Sequence, residues 1–187
     1  MSLAAADWTL VGGARLRPLG ATDAPAFLAV VQAHRGHLDR WLRWSGAITD
    51  LPAATEFLAG FERKLAAGDG AHLGLWVDGQ LVGGVVCWYI HRQNRNAEVG
   101  YWLAADRTGR GLATEGSARM IEHLFAVEGL HRVEMQCGVD NLASRRIPER
   151  LGFTLEGIRR QSHWITDRFR DHAVYGLLAG EWRGRAP

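Results

Sequence analysis

The sequence predicts an α/β protein in which antiparallel strands come first and a strand–helix–strand unit sits at the centre. Three observations lead there. Apolar residues recur at three- and four-residue intervals in some stretches, as in Phe57, Leu58, Phe61 and Leu65, the stripe of a helix buried on one side. Other stretches, His72–Val77 and Leu81–Ile90, are strand-like and flank Asp78-Gly79, a pair that favours a tight hairpin turn. The third is the run of Ala97–Leu103 into a glycine-rich loop, a helix and a further strand.

Taken in order, Leu10–Arg17 reads as the first strand, and Thr22 offers a cap to a helix over Ala24–His34 that leads into the tryptophan-rich LDRWLRW. The Phe57 helix and the Asp78-Gly79 hairpin follow. After the strand Ala97–Leu103, a helix from about Gly111 to Val127 turns Met120, Leu124 and Val127 inward. His131–Gly138 is the next strand. A short helix then spans NLASRRIPERLGF, where Asn141 caps the start and Gly152 stops it. The last strands are Thr154–Gln161 and Phe169–Leu178.

The 187 residues suffice for one core, and no Ser/Gly/Pro-rich stretch marks a linker, so a single domain over residues 1–187 is expected. Hydrophobic residues make up 47% and charged ones 22%, and the apolar runs are too short to span a bilayer, so no membrane association is expected. The N-terminal stretch lacks the pattern of a secretory signal, and Cys87 and Cys137 are too few for a disulfide framework, which fits a reducing, cytoplasmic setting. A formal charge of +2 gives no general case for direct nucleic-acid binding. His34 and His37 lack a third ligand at metal spacing and no HExxH is present, so no metal is implied.

In YWLAADRTGRGLATEG, Gly109 and Gly111 allow a ligand close to the backbone. The first free N–H groups of the following helix form an anion site to which Arg110 adds charge. A pyrophosphate fits such a site, although glycine serves turn geometry alone in many strand-to-helix connections. The dinucleotide fingerprint fails because Thr114 stands where its third glycine belongs, and the triphosphate loop fails because Ser117, not lysine, follows Gly116. The other anomaly is Pro148. It has no N–H for the carbonyl of Ser144, a defect that costs roughly 3 kcal/mol in an ordinary helix.

The loop Thr108-Gly109-Arg110-Gly111-Leu112-Ala113 and the helix NLASRRIPERLGF resemble the GNAT superfamily of acyl-CoA-dependent N-acetyltransferases, with Thr108 departing from the usual Gln or Arg. With HLDRWLRW, AEVGYWL and the C-terminal strand included, the chain resembles the ribosomal-protein N-terminal acetyltransferases of the RimJ/RimL type. The resemblance implies a mixed, mostly antiparallel sheet with a splayed parallel strand pair and helices on both faces. It implies acetyl-CoA in the opening between strands ending near Leu103 and Gly138, held by Trp102, Leu103, Ala104, Asn141 and the loop from Thr108 to Ala113. Many relatives carry a tyrosine that protonates the leaving thiolate where this chain has Pro148. Ser144, one turn earlier on the same helix face, is the acid the ribosomal branch implies.

Acetyl transfer needs a neutral amine, and an α-amino group with a pKa near 8 asks only a modest base. Glu98 is one candidate. His163 is the other, at a place where the ribosomal branch carries glutamate. Trp41 and Trp44 fall in the region that borders the acceptor pocket in the family, and aromatics at such spacing also serve as core. Cys137 reads better as a small buried hydrophobe than as a nucleophile. The expected function is transfer of acetyl to an amine, foremost the N-terminal α-amine of a ribosomal protein. The rivals are a small-molecule amine such as an antibiotic or polyamine, and a non-catalytic acyl-CoA-binding or ribosome-associated module. A homodimer is common in the branch.

Overall fold

The computed structural model describes residues 3–184. Met1, Ser2 and the last three residues of the expected 1–187 domain lie outside the described residues. Eight strands form one sheet: β1 (Trp8–Thr9), β2 (Arg15–Pro18), β3 (Ala71–Val77), β4 (Gln80–His91), β5 (Asn96–Leu103), β6 (Arg132–Gly138), β7 (Thr154–Ile165) and β8 (Arg168–Leu178). The order is β1-β2-β3-β4-β5-β6-β8-β7. Every neighbouring pair is antiparallel except β5 and β6. The helices are α1 (Ala24–Ala33), α2 (Arg35–Leu38), α3 (Leu51–Ala67), α4 (Leu112–Ala126) and α5 (Leu142–Arg150).

Side-chain alternation along the strands divides the core in two. Val85, Cys87, Ala97 and Val99 pack with Met120, Ile121 and Leu124 of α4 and with Leu151 just after α5. Val86 and Trp102 pack instead with Phe27 and Val31 of α1 and with Leu58 and Phe61 of α3. The helices therefore cover both faces of a mixed sheet, as the resemblance implied. The β3–β4 turn is made by Asp78 and Gly79, at φ 50° and 75°, the left-handed pair that a tight hairpin requires. Asp50 caps α3 by accepting from the Ala53 N–H at 2.9 Å, and Gly68 closes it at φ 73°.

Several boundaries differ from expectation for local reasons. The strand expected over Leu10–Arg17 is β2, which begins only at Arg15 because Gly12 and Gly13, at φ 78° and 80°, turn the chain just before it, and the short β1 (Trp8–Thr9) precedes that turn. The residue at the start of α1 is Asp23 rather than Thr22, and its carboxylate is engaged by Arg17 and the Gly20 N–H. Val127 lies outside α4 and is 51% exposed, since the helix ends a residue earlier. The Trp-rich segment leaves the helix after Leu38, so Trp41 and Trp44 stand on turns. Strand β7 continues past a break in register near Gln161 to Ile165.

Candidate active site

The parallel strands β5 and β6 pair only over Asn96–Glu98 against Arg132–Glu134. Beyond that they part. β5 stays with β4 as far as Leu103, and β6 stays with β8 as far as Gly138. The wedge between them opens into a cleft of about 560 Å³. The Ala104 N–H donates to the Val82 carbonyl at 2.8 Å. By alternation the Leu103 N–H faces the other way, toward the opening. Leu103 therefore presents a backbone donor on the open edge of β5.

The cleft is lined by Trp41, Trp44, Glu98, Trp102, Leu103, Thr108, Gly109, Ala113, Asn141, Ser144 and His163 among the expected site residues. Ala104, Arg110, Gly111 and Leu112 are not in that lining. Arg110 is exposed with a 3.4 Å contact to the Asp106 carbonyl, and the Leu112 side chain turns into the core. Sequence reasoning missed Tyr101, Gln136 and His172. Alternation in AEVGYWL indicates which residues share a face, but not which helix lies over that face.

At the start of α4, Gly109 and Gly111 hold φ 76° and 79°, and a Cβ on either would meet no atom within 4 Å. No side chain caps the helix. The first-turn N–H groups of Leu112, Ala113 and Thr114 thus have no side-chain cap at the positive end of a 15-residue helix, and the space beside the two glycines is open, which fits a pyrophosphate.

Ser144 lies in the first turn of α5, whose cap is the Asn141 side chain accepting from the Ser144 N–H at 3.2 Å. Its Oγ is 3.0 Å from the Tyr101 hydroxyl and 3.4 Å from Cys137 Sγ. The Tyr101 hydroxyl donates to the Ser144 carbonyl at 2.7 Å. Burial pushes the Tyr101 pKa well above its usual value, and the neighbouring Cys137 pushes in the same direction. Burial also raises the Cys137 thiol, so that sulfur stays protonated and is a poor nucleophile.

Glu98 accepts from Gln136 Nε2 at 3.1 Å, and Gln136 Oε1 accepts from Arg159 at 3.3 Å. Burial, helped by Glu134, raises the Glu98 pKa, which brings a carboxylate nearer to useful basicity at neutral pH. His163 stacks on His172, with ring centroids 3.7 Å apart. Burial first, then His172, Arg43 and Arg159, lower the His163 pKa to about 4, so its imidazole is neutral but weakly basic. Trp41 has the Arg40 guanidinium 4.9 Å and the Arg170 guanidinium 5.6 Å from its ring centroid. Trp44 is tied to the core, stacked on Phe27 and Phe57 and edge-on to Trp102.

A sheet with one parallel pair that splays, an uncapped glycine-led helix at the wedge and hydroxyl and carboxyl groups inside it define an acyl-CoA transferase. The chain belongs to the GNAT acetyltransferases: residues 14–154 match the family described as "Acetyltransferase (GNAT) domain". It is 31% identical over 170 residues to the putative ribosomal N-acetyltransferase YdaF of Bacillus subtilis, covering 90% of this chain and 93% of that one. It is 31% identical over 104 residues to the ribosomal-protein-serine acetyltransferase of Escherichia coli, covering 56% of this chain and 58% of that one. Among solved structures, RimJ of Mycobacterium smegmatis in complex with CoA-disulfide superposes with a TM-score of 0.83 at 28% identity, over 91% of this chain and 84% of that one. The protein is an acetyl-CoA-dependent N-acetyltransferase.

Proposed function

We propose that the acceptor is the N-terminal α-amine of a protein, of the ribosomal kind that the relatives' names indicate. The observation that carries this reading is the cationic, aromatic surround of the cleft. Arg43 and Arg159 lie close enough to depress His163, and Arg40 and Arg170 flank Trp41. A polyamine would meet like charge there. A peptide offers one amine at its tip, with carbonyls and side chains behind it that arginine and tryptophan can engage.

Acetyl-CoA supplies the activated acetyl thioester. The α4 N-terminus and Gly109 hold its pyrophosphate, and the Leu103 N–H lies on the open edge of β5 to polarise the thioester oxygen. Glu98, held by Gln136, accepts the proton of the incoming amine directly or through water. Ser144 gives its hydroxyl proton to the departing sulfur. His163 shapes the acceptor site rather than serving as base, because a pKa of about 4 leaves it far below the amine it would have to deprotonate. The two free, buried cysteines accord with action in a reducing cytoplasm.

The test is thiol release from acetyl-CoA, comparing peptides that begin with serine or alanine with spermidine and compact aminoglycosides at matched concentrations. Peptides are expected to be turned over well above the small amines. Rapid release with a small amine and none with the peptides would overturn the reading, and release with neither despite acetyl-CoA binding would favour a binding module.

A further inference from the structure

Pro148 poses a local problem that Tyr101 resolves. In a regular helix the Ser144 carbonyl would accept from the N–H four residues on, and proline at 148 has none. In this part-buried position a carbonyl without its helical partner is stabilised by a donor from elsewhere. The hydroxyl that reaches it comes from another element: Tyr101 on β5 donates at 2.7 Å. Pro148 itself is buried.

The proton count fixes the rest. A tyrosine hydroxyl has one proton, and here it goes to the Ser144 carbonyl. At 3.0 Å from Ser144 Oγ the same oxygen can therefore only accept. Ser144 is thus the donor in that contact, with Cys137 Sγ at 3.4 Å as the alternative acceptor. One tyrosine oxygen holds both the backbone and the side chain of Ser144. We propose that Tyr101 is a positioning residue for the transfer reaction: recruited by the carbonyl that loses its i+4 donor to Pro148, its hydroxyl sets the Ser144 rotamer and holds the serine oxygen at the cleft, where rotation about the Cβ–Oγ bond turns the O–H from Tyr101 to the departing sulfur. This rests on Ser144 acting as the acid. The proline and the tyrosine work as a pair, so that a helix defect on α5 becomes a device that fixes the serine.

Four variants test this, read by single-turnover rate, KM for both substrates and thermal midpoint. Tyr101→Phe is expected to lower the rate about tenfold to a hundredfold, with KM values within about twofold, and to lower the midpoint. Adding Pro148→Ala returns an N–H to the carbonyl, so Tyr101→Phe/Pro148→Ala should regain the midpoint but not the rate. In a Ser144→Ala background, Tyr101→Phe should change the rate less than about twofold, because its effect runs through the serine. A purely structural tyrosine would let Pro148→Ala restore rate and midpoint together, which overturns the proposal. If Ser144→Ala is impaired while Tyr101→Phe is not, positioning fails and the acid assignment stands. If Ser144→Ala alone is unimpaired, the acid assignment fails first and the proposal falls with it.

Discussion

At the scale of single residues, two groups carry the proposed proton traffic and each makes a separable prediction. Ser144→Ala should lower turnover roughly ten- to a thousandfold with acetyl-CoA affinity nearly unchanged, since a general acid acts on the leaving sulfur and not on ground-state binding. Rapid-quench kinetics alongside calorimetry would separate the two quantities. Glu98 has its pKa raised by burial and by Glu134, so it loses its proton later than an ordinary glutamate as pH rises. Glu98→Gln should therefore lower kcat/KM most near neutral pH, by roughly tenfold or more. The deficit should shrink above about pH 8, where an α-amine is already mostly neutral. A deficit constant across the pH profile would deny Glu98 the role of base. Ser144 and Glu98 were both nameable from sequence, whereas Tyr101 was not. Its importance comes from a hydroxyl crossing from β5 to α5, a contact between residues 43 apart in the chain. Trp44 shows the opposite limit. The family resemblance implied an acceptor contact and its spacing from Trp41 a core role, and Trp44 both stacks on Phe27 and Phe57 and lines the cleft.

At the scale of elements, the start of α4 is where local sequence and the proposed cofactor site agree most closely. Gly111 holds φ 79° with open space where a Cβ would be. Gly111→Val would put a β-branched side chain into that space and strain the turn by about 1–3 kcal/mol, leaving a fold that survives. Acetyl-CoA binding should be lost, and calorimetry on the folded variant checks it; unchanged affinity would remove the loop from the cofactor site. The hairpin at Asp78-Gly79 and the caps at Asn141 and Asp50 are also local, set by a few neighbouring residues. Elements defined by longer-range packing were harder to bound. Val11–Gly13 continues an apolar run, yet two left-handed glycines break it, and β7 runs past Gln161 because β8 offers a partner as far as Arg168.

At the scale of the whole molecule, the order of elements already implied a strand–helix–strand unit. The useful feature is where that unit fails: β5 and β6 stop pairing after Glu98 and Glu134, and the site occupies the gap. Sequence alone gives two strands, not the point at which they part. The same fold stores a response to acid. His72 is fully buried among aromatic rings, accepts from Trp102 Nε1 at 2.9 Å, and burial lowers its pKa from 6.5 to about 3. His163 is lowered to about 4. A depressed folded-state pKa contributes stability above pH 6.5 that is lost as the unfolded chain takes up protons on the way down to the folded value. Stability should therefore fall between pH 6.5 and 4.5, by about 2 kcal/mol for His72 alone. Denaturation midpoints that stay flat across that window would contradict the burial of these rings as neutral imidazoles. The most direct measurement of the central claim is mass spectrometry on a peptide that begins with serine or alanine and carries an internal lysine, after incubation with acetyl-CoA and the enzyme. The account predicts one added acetyl group on the α-amine, formed at least about tenfold more slowly with Ser144→Ala. An acetyl group on the lysine side chain, or an unmodified peptide under conditions where a compact amine releases CoA rapidly, would contradict it.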